Sequence, residues 1–261
     1  MNQTIAPPRL VGQVMKIGDV CDQDRREMFE LMTRYYDNVY RDTFESDFQS
    51  KTWVVIARCP TSGNVLGFST QWFGDYVVDG VPVGVLYSGD TIVDRKYWAN
   101  NPLATLWGRL ALQIIDLHPE KELVWFLISK GYKTYRFLPV FFESYFPRPN
   151  QSTPPRYGRI IDRVAGDKFG DRYLNSKGII KAPDDGCRLR DHVADVTEQR
   201  LRDPHVRFFD AINPRHSKGD ELCCIAPLSR DNFNAAAYRV IAMPIVTSDD
   251  FVISAPVSME Q

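Results

Sequence analysis

The chemically densest stretch of the chain is Tyr87-Ser88-Gly89-Asp90-Thr91, three hydroxyls and one carboxylate set into an otherwise apolar strand sequence. A carboxylate in such a setting can take a proton as a general base, and the hydroxyls can donate to a developing oxyanion. Asp90 is the first choice for base. The alternative is a carboxylate satisfying backbone groups at a β-bulge, which the neighbouring Gly89 suggests. A second polar knot, Ser129 to Arg136 (SKGYKTYR), follows an apolar run, and its cations Lys130, Lys133 and Arg136 can meet phosphates or form a solvated rim. The turn Asn213 to Asp220 offers Arg215, His216 and Asp220 as a substrate-orienting group or simply as turn residues. Glu143, a lone carboxylate within FFESYF, is expected to be exposed. His118, His192 and His205 lack ligand-spaced partners, and the five cysteines form no CxxC pair, so neither a metal site nor a disulfide framework is expected. Cys223 and Cys224 read as small hydrophobic residues of a strand.

The elements that must position these residues follow from hydrophobic spacing. Asp22 or Asp24 can cap a helix with Met28, Leu31, Met32, Tyr35 and Val39 on one face. Thr52 to Arg58 and Val65 to Trp72 read as a hairpin, and Asp79-Gly80 predicts a tight turn between third and fourth strands, Tyr76 to Val78 and Val81 to Leu86. Asn101-Pro102 is a helix start, followed by Leu103, Leu106, Leu110, Ile114 and Leu117 on one face, with an end near His118-Pro119. Leu123 to Ile128 is a continuous apolar run, the pattern of a central strand covered on both faces. Lys133 to Tyr145 is read as helical with a bend at Pro139. Pro147 to Pro155 is the strongest candidate boundary, dividing a core (1–150) from an extension (151–261) with a flexible tail. In that extension Arg156 to Gly166, Val193 to Leu201 and Phe233 to Ile241 are read as helices and Leu222 to Ile225 as a strand that completes the main sheet.

At 261 residues, with 44% apolar and 25% charged residues, the chain has the composition of a packed globular protein. The 32 Lys and Arg balance 33 Asp and Glu, so no global field favours nucleic acid, and any anion site must be local. No window approaches the roughly 18 to 20 apolar residues of a membrane span. The sequence MNQTIAPPRL lacks the charged-then-apolar pattern of a secretory signal, and a cytoplasmic location is expected.

The order helix, hairpin strands, a strand ending in TIVDRKYW, a helix, a buried strand and a further helix resembles the GNAT acyltransferase superfamily over Val11 to Phe146. The resemblance implies an α/β (α+β) fold with a mixed, mostly antiparallel sheet flanked by helices. It implies transfer of an acyl group from a CoA or acyl-carrier-protein thioester to an amine of a small molecule or peptide, and the aromatic supply of the cleft elements, such as Trp98, Trp107, Trp125 and Phe142, points to a medium or long chain among the options. It carries no metal. By position it places Asp90, Ser88 and Thr91 at the reacting group, and Tyr135 or Tyr145 as the acid for the leaving thiolate. Val93, Arg95, Lys96, Trp98, Asn100, Asn101, Leu103, Lys130 and Lys133 fall along the donor, and Tyr87 on the acceptor side; outside the resemblance, Arg215, His216 and Asp220 would reach the acceptor from the cleft rim if Leu222 to Ile225 completes the sheet. Where the family has a Gln/Arg-x-x-Gly-x-Gly/Ala loop this chain has Ala99-Asn100-Asn101-Pro102. That departure leaves open a differently held CoA thioester, a carrier-protein donor, or a non-catalytic module that kept the fold. Fatty-acylating, peptide-modifying members and acyl-homoserine-lactone synthases are the members to compare.

Overall fold

The computed structural model describes residues 8–99 and 101–247. The strands are β1 (Val11–Lys16), β2 (Tyr36–Asp37), β3 (Trp53–Arg58), β4 (Val65–Val78), β5 (Val81–Val93), β6 (Glu122–Ser129), β7 (Tyr173–Leu174), β8 (Ile179–Ile180), β9 (Arg188–Leu189), β10 (Glu221–Pro227) and β11 (Val246–Thr247). The helices are α1 (Asp22–Tyr35), α2 (Arg41–Gln49), α3 (Leu103–Leu117), α4 (Tyr132–Tyr135), α5 (Phe137–Phe141), α6 (Pro155–Phe169), α7 (Pro204–Ile212) and α8 (Ala235–Ile241). One nine-stranded sheet runs β11-β1-β3-β4-β5-β6-β10-β8-β7, and β2 pairs with β9 apart from it. The sheet is mixed and mostly antiparallel, with parallel pairing at β1–β11 and β5–β6.

Period-two alternation sends neighbouring strand residues to opposite layers. On one face Leu103, Leu106, Leu110 and Ile114 of α3 pack with Val55, Leu86, Trp125 and Leu127. On the other, Met28 and Leu31 of α1 and Phe44 and Phe48 of α2 cover Val54, Ile56 and Phe68, while Ile160, Ile161 and Val164 of α6 cover Val83, Val85 and Phe126. β6 is buried on both faces, between β5 and β10, as its apolar run implies.

The Asp79-Gly80 turn forms with φ of 54° and 76°, the left-handed pair that a two-residue hairpin requires. Tyr76 to Val78 is not a strand of its own: β4 is continuous from Val65 to Val78, because its polar middle stays paired with β5. α1 starts after Cys21 and stops at Tyr35, so Val39 lies outside it, and Asp24 is no cap but an ion-pair partner of Arg58 at 2.6 Å. Lys133 to Tyr145 is two short helices and an extended segment. Pro139 lacks the N–H that a continuous helix would bond to the Tyr135 carbonyl, and the break falls at Arg136. Val193 to Leu201 is mostly irregular, ending in a single 3-10 turn at Arg200–Arg202. β1, α2 and α7 have no counterpart in the spacing analysis. After the proline cluster, α6 lies on the sheet, β10 enters it beside β6, and α8 packs on α3 through a Thr105 hydroxyl donated to the Val240 carbonyl at 2.9 Å. Gly108 permits that approach, since a Cβ there would stand 2.4 Å from Ile241 Cγ1.

Candidate active site at the parting of two parallel strands

β5 and β6 are paired from Val83 and Glu122 up to Ser88 and Leu127, and beyond that point they part. At the same place β5 carries one residue more than its other neighbour. Ser69 faces Thr91 and Gln71 faces Ser88, so Gly89 and Asp90 together oppose Thr70 in a bulge. Gly89 suits that bulge, since a Cβ would meet Thr70 Oγ1 at 2.6 Å and Lys51 Cε at 2.8 Å. A cavity of about 540 Å3 lies at the parting. Trp98, Trp107, Trp125, Phe141, Phe142 and Phe233 make much of its wall apolar, and Tyr35 and Tyr36 line it from the end of α1.

The polar floor of the cavity is closed on itself. Trp125 Nε1 donates to Ser88 Oγ (2.9 Å), Ser88 Oγ to Gln71 Oε1 (2.6 Å), and Gln71 Nε2 to Ser69 Oγ (2.7 Å). Ser69 and Thr91 share a hydroxyl contact of 2.7 Å, and Trp107 Nε1 also donates to Gln71 Oε1 at 3.2 Å. Ser69, Gln71 and Ser88 are all buried, so this network fixes where the floor sits rather than offering free groups. Ser69 and Gln71 were legible in principle: counting back from the Asp79-Gly80 turn puts Gln71 opposite Ser88.

Titratable groups gather where the bulge meets the end of β6. Burial, then the charge of Asp47, pushes the Asp90 carboxyl up to about 6, against the opposing pull of Lys130 and Lys51. Burial pulls the Lys130 amine down, but Glu221, 3.6 Å away, with Cys187 and Asp90, outweighs it and holds the amine above its ordinary value. Burial raises the Tyr36 and Tyr87 hydroxyls well above their ordinary range and the Cys187 thiol to about 11. A second cationic group stands by the loop before α3. Lys133 Nζ lies 3.6 Å over the Trp98 ring and Arg95 at 5.5 Å, and burial followed by the charges of Arg200 and Arg95 lowers the Lys133 amine. Among the described residues no cluster of His, Cys, Asp and Glu could hold a metal ion, and no helix is long and apolar enough to cross a membrane.

Of the residues singled out from sequence, Ser88, Thr91, Val93 and Trp98 line the cavity, as do Asn101, Leu103, Lys130 and Lys133. Asp90 and Tyr87 sit at the bulge beside it, Arg95 flanks Trp98, and Lys96 is exposed in the loop. Asn100 lies outside the described residues. The structure does not bring the remaining ones to the cavity. Tyr135 is fully buried with its hydroxyl on the Pro147 carbonyl (3.0 Å), and Tyr145 is buried with its hydroxyl on His205 Nδ1 (3.1 Å). Arg215 pairs with Asp220 (3.3 Å), Asp220 accepts from the Ala182 amide (3.0 Å), and His216 meets Asp210 of α7 (3.1 Å), so this trio braces its turn and ties it to Ala182 and α7. Lys168 and Arg200 escaped sequence reasoning because each lies far along the chain from the groups it reaches, and Lys51 because it bonds locally to Asp47 and Ser50 while only folding sets it beside Gly89.

No family model matches the chain, and no curated protein matches it. Solved structures align with about half of it. A probable N-acyltransferase from Enterococcus faecalis shares 12% identity over 52% of this chain and 33% of its own, with a TM-score of 0.38. A GNAT family N-acetyltransferase from Escherichia coli in complex with CoA shares 16% over 52% of this chain and 71% of its own, TM-score 0.34. Glucosamine-6-phosphate N-acetyltransferase from Arabidopsis thaliana shares 14% over 55% and 97%, TM-score 0.33. This chain thus spans a third of the length of the first of these. Likenesses this distant leave the function to the site itself.

Proposed function

We propose that the chain is a GNAT-like N-acyltransferase that moves an acyl group from a thioester to an amine across the parting of β5 and β6. The observation that carries this reading is the coincidence, at one point of the sheet, of a parallel pair that separates after Ser88 and Leu127, a bulge bearing Asp90, and an apolar cavity. In the reaction the amine nitrogen attacks the thioester carbonyl, the C–N bond forms and the C–S bond breaks. The proton of the incoming ammonium goes to Asp90, whose raised carboxyl is a better base near neutrality than an ordinary aspartate. Tyr36 and Lys130 line the cavity on that side and remain protonated at neutral pH, which suits either for returning a proton to the departing thiolate.

The donor's acyl chain is longer than acetyl on this reading, because a large aromatic wall gains most from burying methylenes, about 0.8 kcal/mol for each. Phosphates of a CoA thioester, or of a carrier protein's phosphopantetheine arm, would fall to the side chains of Arg95, Lys133 and Arg200. The start of α3 is partly spoken for, since Asn101 Oδ1 already accepts from the Leu103 amide at 3.2 Å. That same cap, together with α8 packed on α3, favours the second reading, a module that binds an apolar ligand without catalysis. Incubation with acyl-CoAs of increasing chain length, acyl carrier protein thioesters and a panel of amines, with free thiol and amine mass as readouts, separates the two. Amine-dependent thiol release is expected; its absence with every donor leaves the binding module.

A further inference from the structure

On the α6 side of the bulge, opposite α3, stands a group of side chains that the acyl cavity does not use. Lys168 of α6 places its amine 3.5 Å over the Trp72 ring and 5.3 Å from the Tyr87 ring, and Lys51 lies 5.7 Å from the same Tyr87 ring. Lys51 is buried against the bulge itself, next to Gly89, and its ammonium donates to the Asp47 carbonyl (3.0 Å), the Asp47 carboxylate (2.5 Å) and the Ser50 hydroxyl (3.2 Å), so it contributes charge to the place rather than a free donor. Lys168 pairs with no carboxylate within 4.0 Å among the described residues. Thr70, opposite the bulge and 1% exposed, has a hydroxyl oxygen with no hydrogen-bond partner among the described residues. An unpaired cation, a second cation beside it and an orphaned hydroxyl, all on the outer face of the bulge that carries Asp90, make a place whose charge is completed by an anion.

We infer that the acceptor is a small amine bearing its own anionic group, which Lys168 and Thr70 hold on the α6 side, beside the charge of Lys51, while the amine reaches Asp90. This rests on the acyltransfer reading and names the substrate class of that site. Burial, then the charge of Lys51, lowers the Lys168 amine to about 8, against the weaker pull of Asp167 and Asp47, neither of whose carboxylates lies within 4.0 Å of it. Lys51, beside Gly89, acts on both Asp90 and Lys168, so an ammonium drawn to Asp90 and an anion drawn to Lys168 would lie on either side of it, as the two charges of one zwitterion. A carboxylate and a phosphate are both suited to the cations, and the test separates them.

The experiment measures acceptor kinetics and, without any donor, acceptor binding by calorimetry. The acceptors are an amino acid, its decarboxylated amine, and an amine carrying a phosphate, each with the intact chain and with Lys168→Gln and Lys168→Arg. Lys168 is only half-buried, so these variants are expected to fold. For the preferred anionic amine, Lys168→Gln should raise KM and the dissociation constant about tenfold, the size of one lost charge-assisted hydrogen bond, with kcat within about twofold. Lys168→Arg should recover much of that loss, and the decarboxylated amine should bind poorly to all three proteins. The inference is overturned if the decarboxylated amine is the better substrate, or if Lys168→Gln weakens it as much as the anionic amine. If anionic amines bind in a Lys168-dependent way but no donor is ever turned over, the anion site stands and the acyltransfer reading fails.

Discussion

The two sides of the β5–β6 parting are built from the same strands and differ in nearly every physical respect. On the α3 side, β4 and β5 contribute Ser69, Gln71, Ser88 and Thr91, and each of these polar groups is closed into one chain with Trp107 and Trp125 under an aromatic roof. On the α6 side, at the alternate positions of the same strands and at the bulge, Thr70, Tyr87 and Asp90 lie with Lys51 and Lys168, with one hydroxyl unpartnered and several groups displaced from their ordinary titration. A satisfied network stabilises and positions, while an incompletely satisfied one stores the capacity to bind or to exchange a proton. The bulge makes the division: without the extra residue in β5, Asp90 would follow the alternation of the strand to the α3 side. Substitutions on the α3 side should therefore cost stability, and those on the bulge side should cost turnover or acceptor binding.

The largest effect is expected for Asp90→Asn, a fall of about 10²-fold or more in kcat/KM with the fold kept, read from steady-state kinetics beside thermal unfolding. Its pH behaviour sharpens the comparison. The Asp90 carboxyl is raised, from 3.8 to about 6, so the protonated form is the one the fold favours. Its contribution to stability is fully present below 3.8 and is lost as pH rises through 6, which makes Asp90→Asn relatively more stable than the natural chain above pH 6. Activity should run the opposite way, rising through pH 6 as Asp90 ionises, and a rate independent of pH there would remove it as the base.

On the other side, Gln71→Ala leaves Ser88, Ser69 and Trp107 without their shared partner in a buried place, and a loss of about 2 to 3 kcal/mol is expected from denaturant midpoints. Turnover of the folded fraction should change far less than with Asp90→Asn. Equal losses of rate in the two variants would erase the distinction between the sides. Smallest of all should be Arg215→Ala. Its pair with Asp220 joins a largely exposed side chain to a buried one, so about 1 kcal/mol or less is expected in stability, with no change in acceptor KM. A raised KM would return the Asn213 to Asp220 turn to the acceptor site.

What the sequence disclosed of this arrangement followed the range of the interactions involved. The Asp79-Gly80 turn, the α3 face and its Asn101-Pro102 start, the apolar run of β6 and the bulge at Gly89 are set by neighbours a few residues apart, and each was readable. Tyr135 was not, because its surroundings are decided by Tyr145, Phe208 and Phe209 closing around it and by the Pro147 carbonyl that takes its hydroxyl. The same holds for the roof of the cavity. Nothing local in Ala235 to Ile241 says that this helix lies on α3, yet Gly108 and Thr105 make the contact. Lys168 is half-buried on α6, and only folding sets it over Trp72, almost a hundred residues earlier in the chain.

The central claim, that an acyl thioester occupies the parting of β5 and β6, is tested most directly by thermal unfolding of the intact chain with acyl-CoAs of increasing chain length. A donor present at 100 times its dissociation constant should stabilise the fold by about 2.7 kcal/mol. The apparent affinity should rise with chain length until the roughly 540 Å3 cavity is filled, then level off. Stabilisation that is the same for CoA alone and for every chain length, or absent with all of them, would contradict the account.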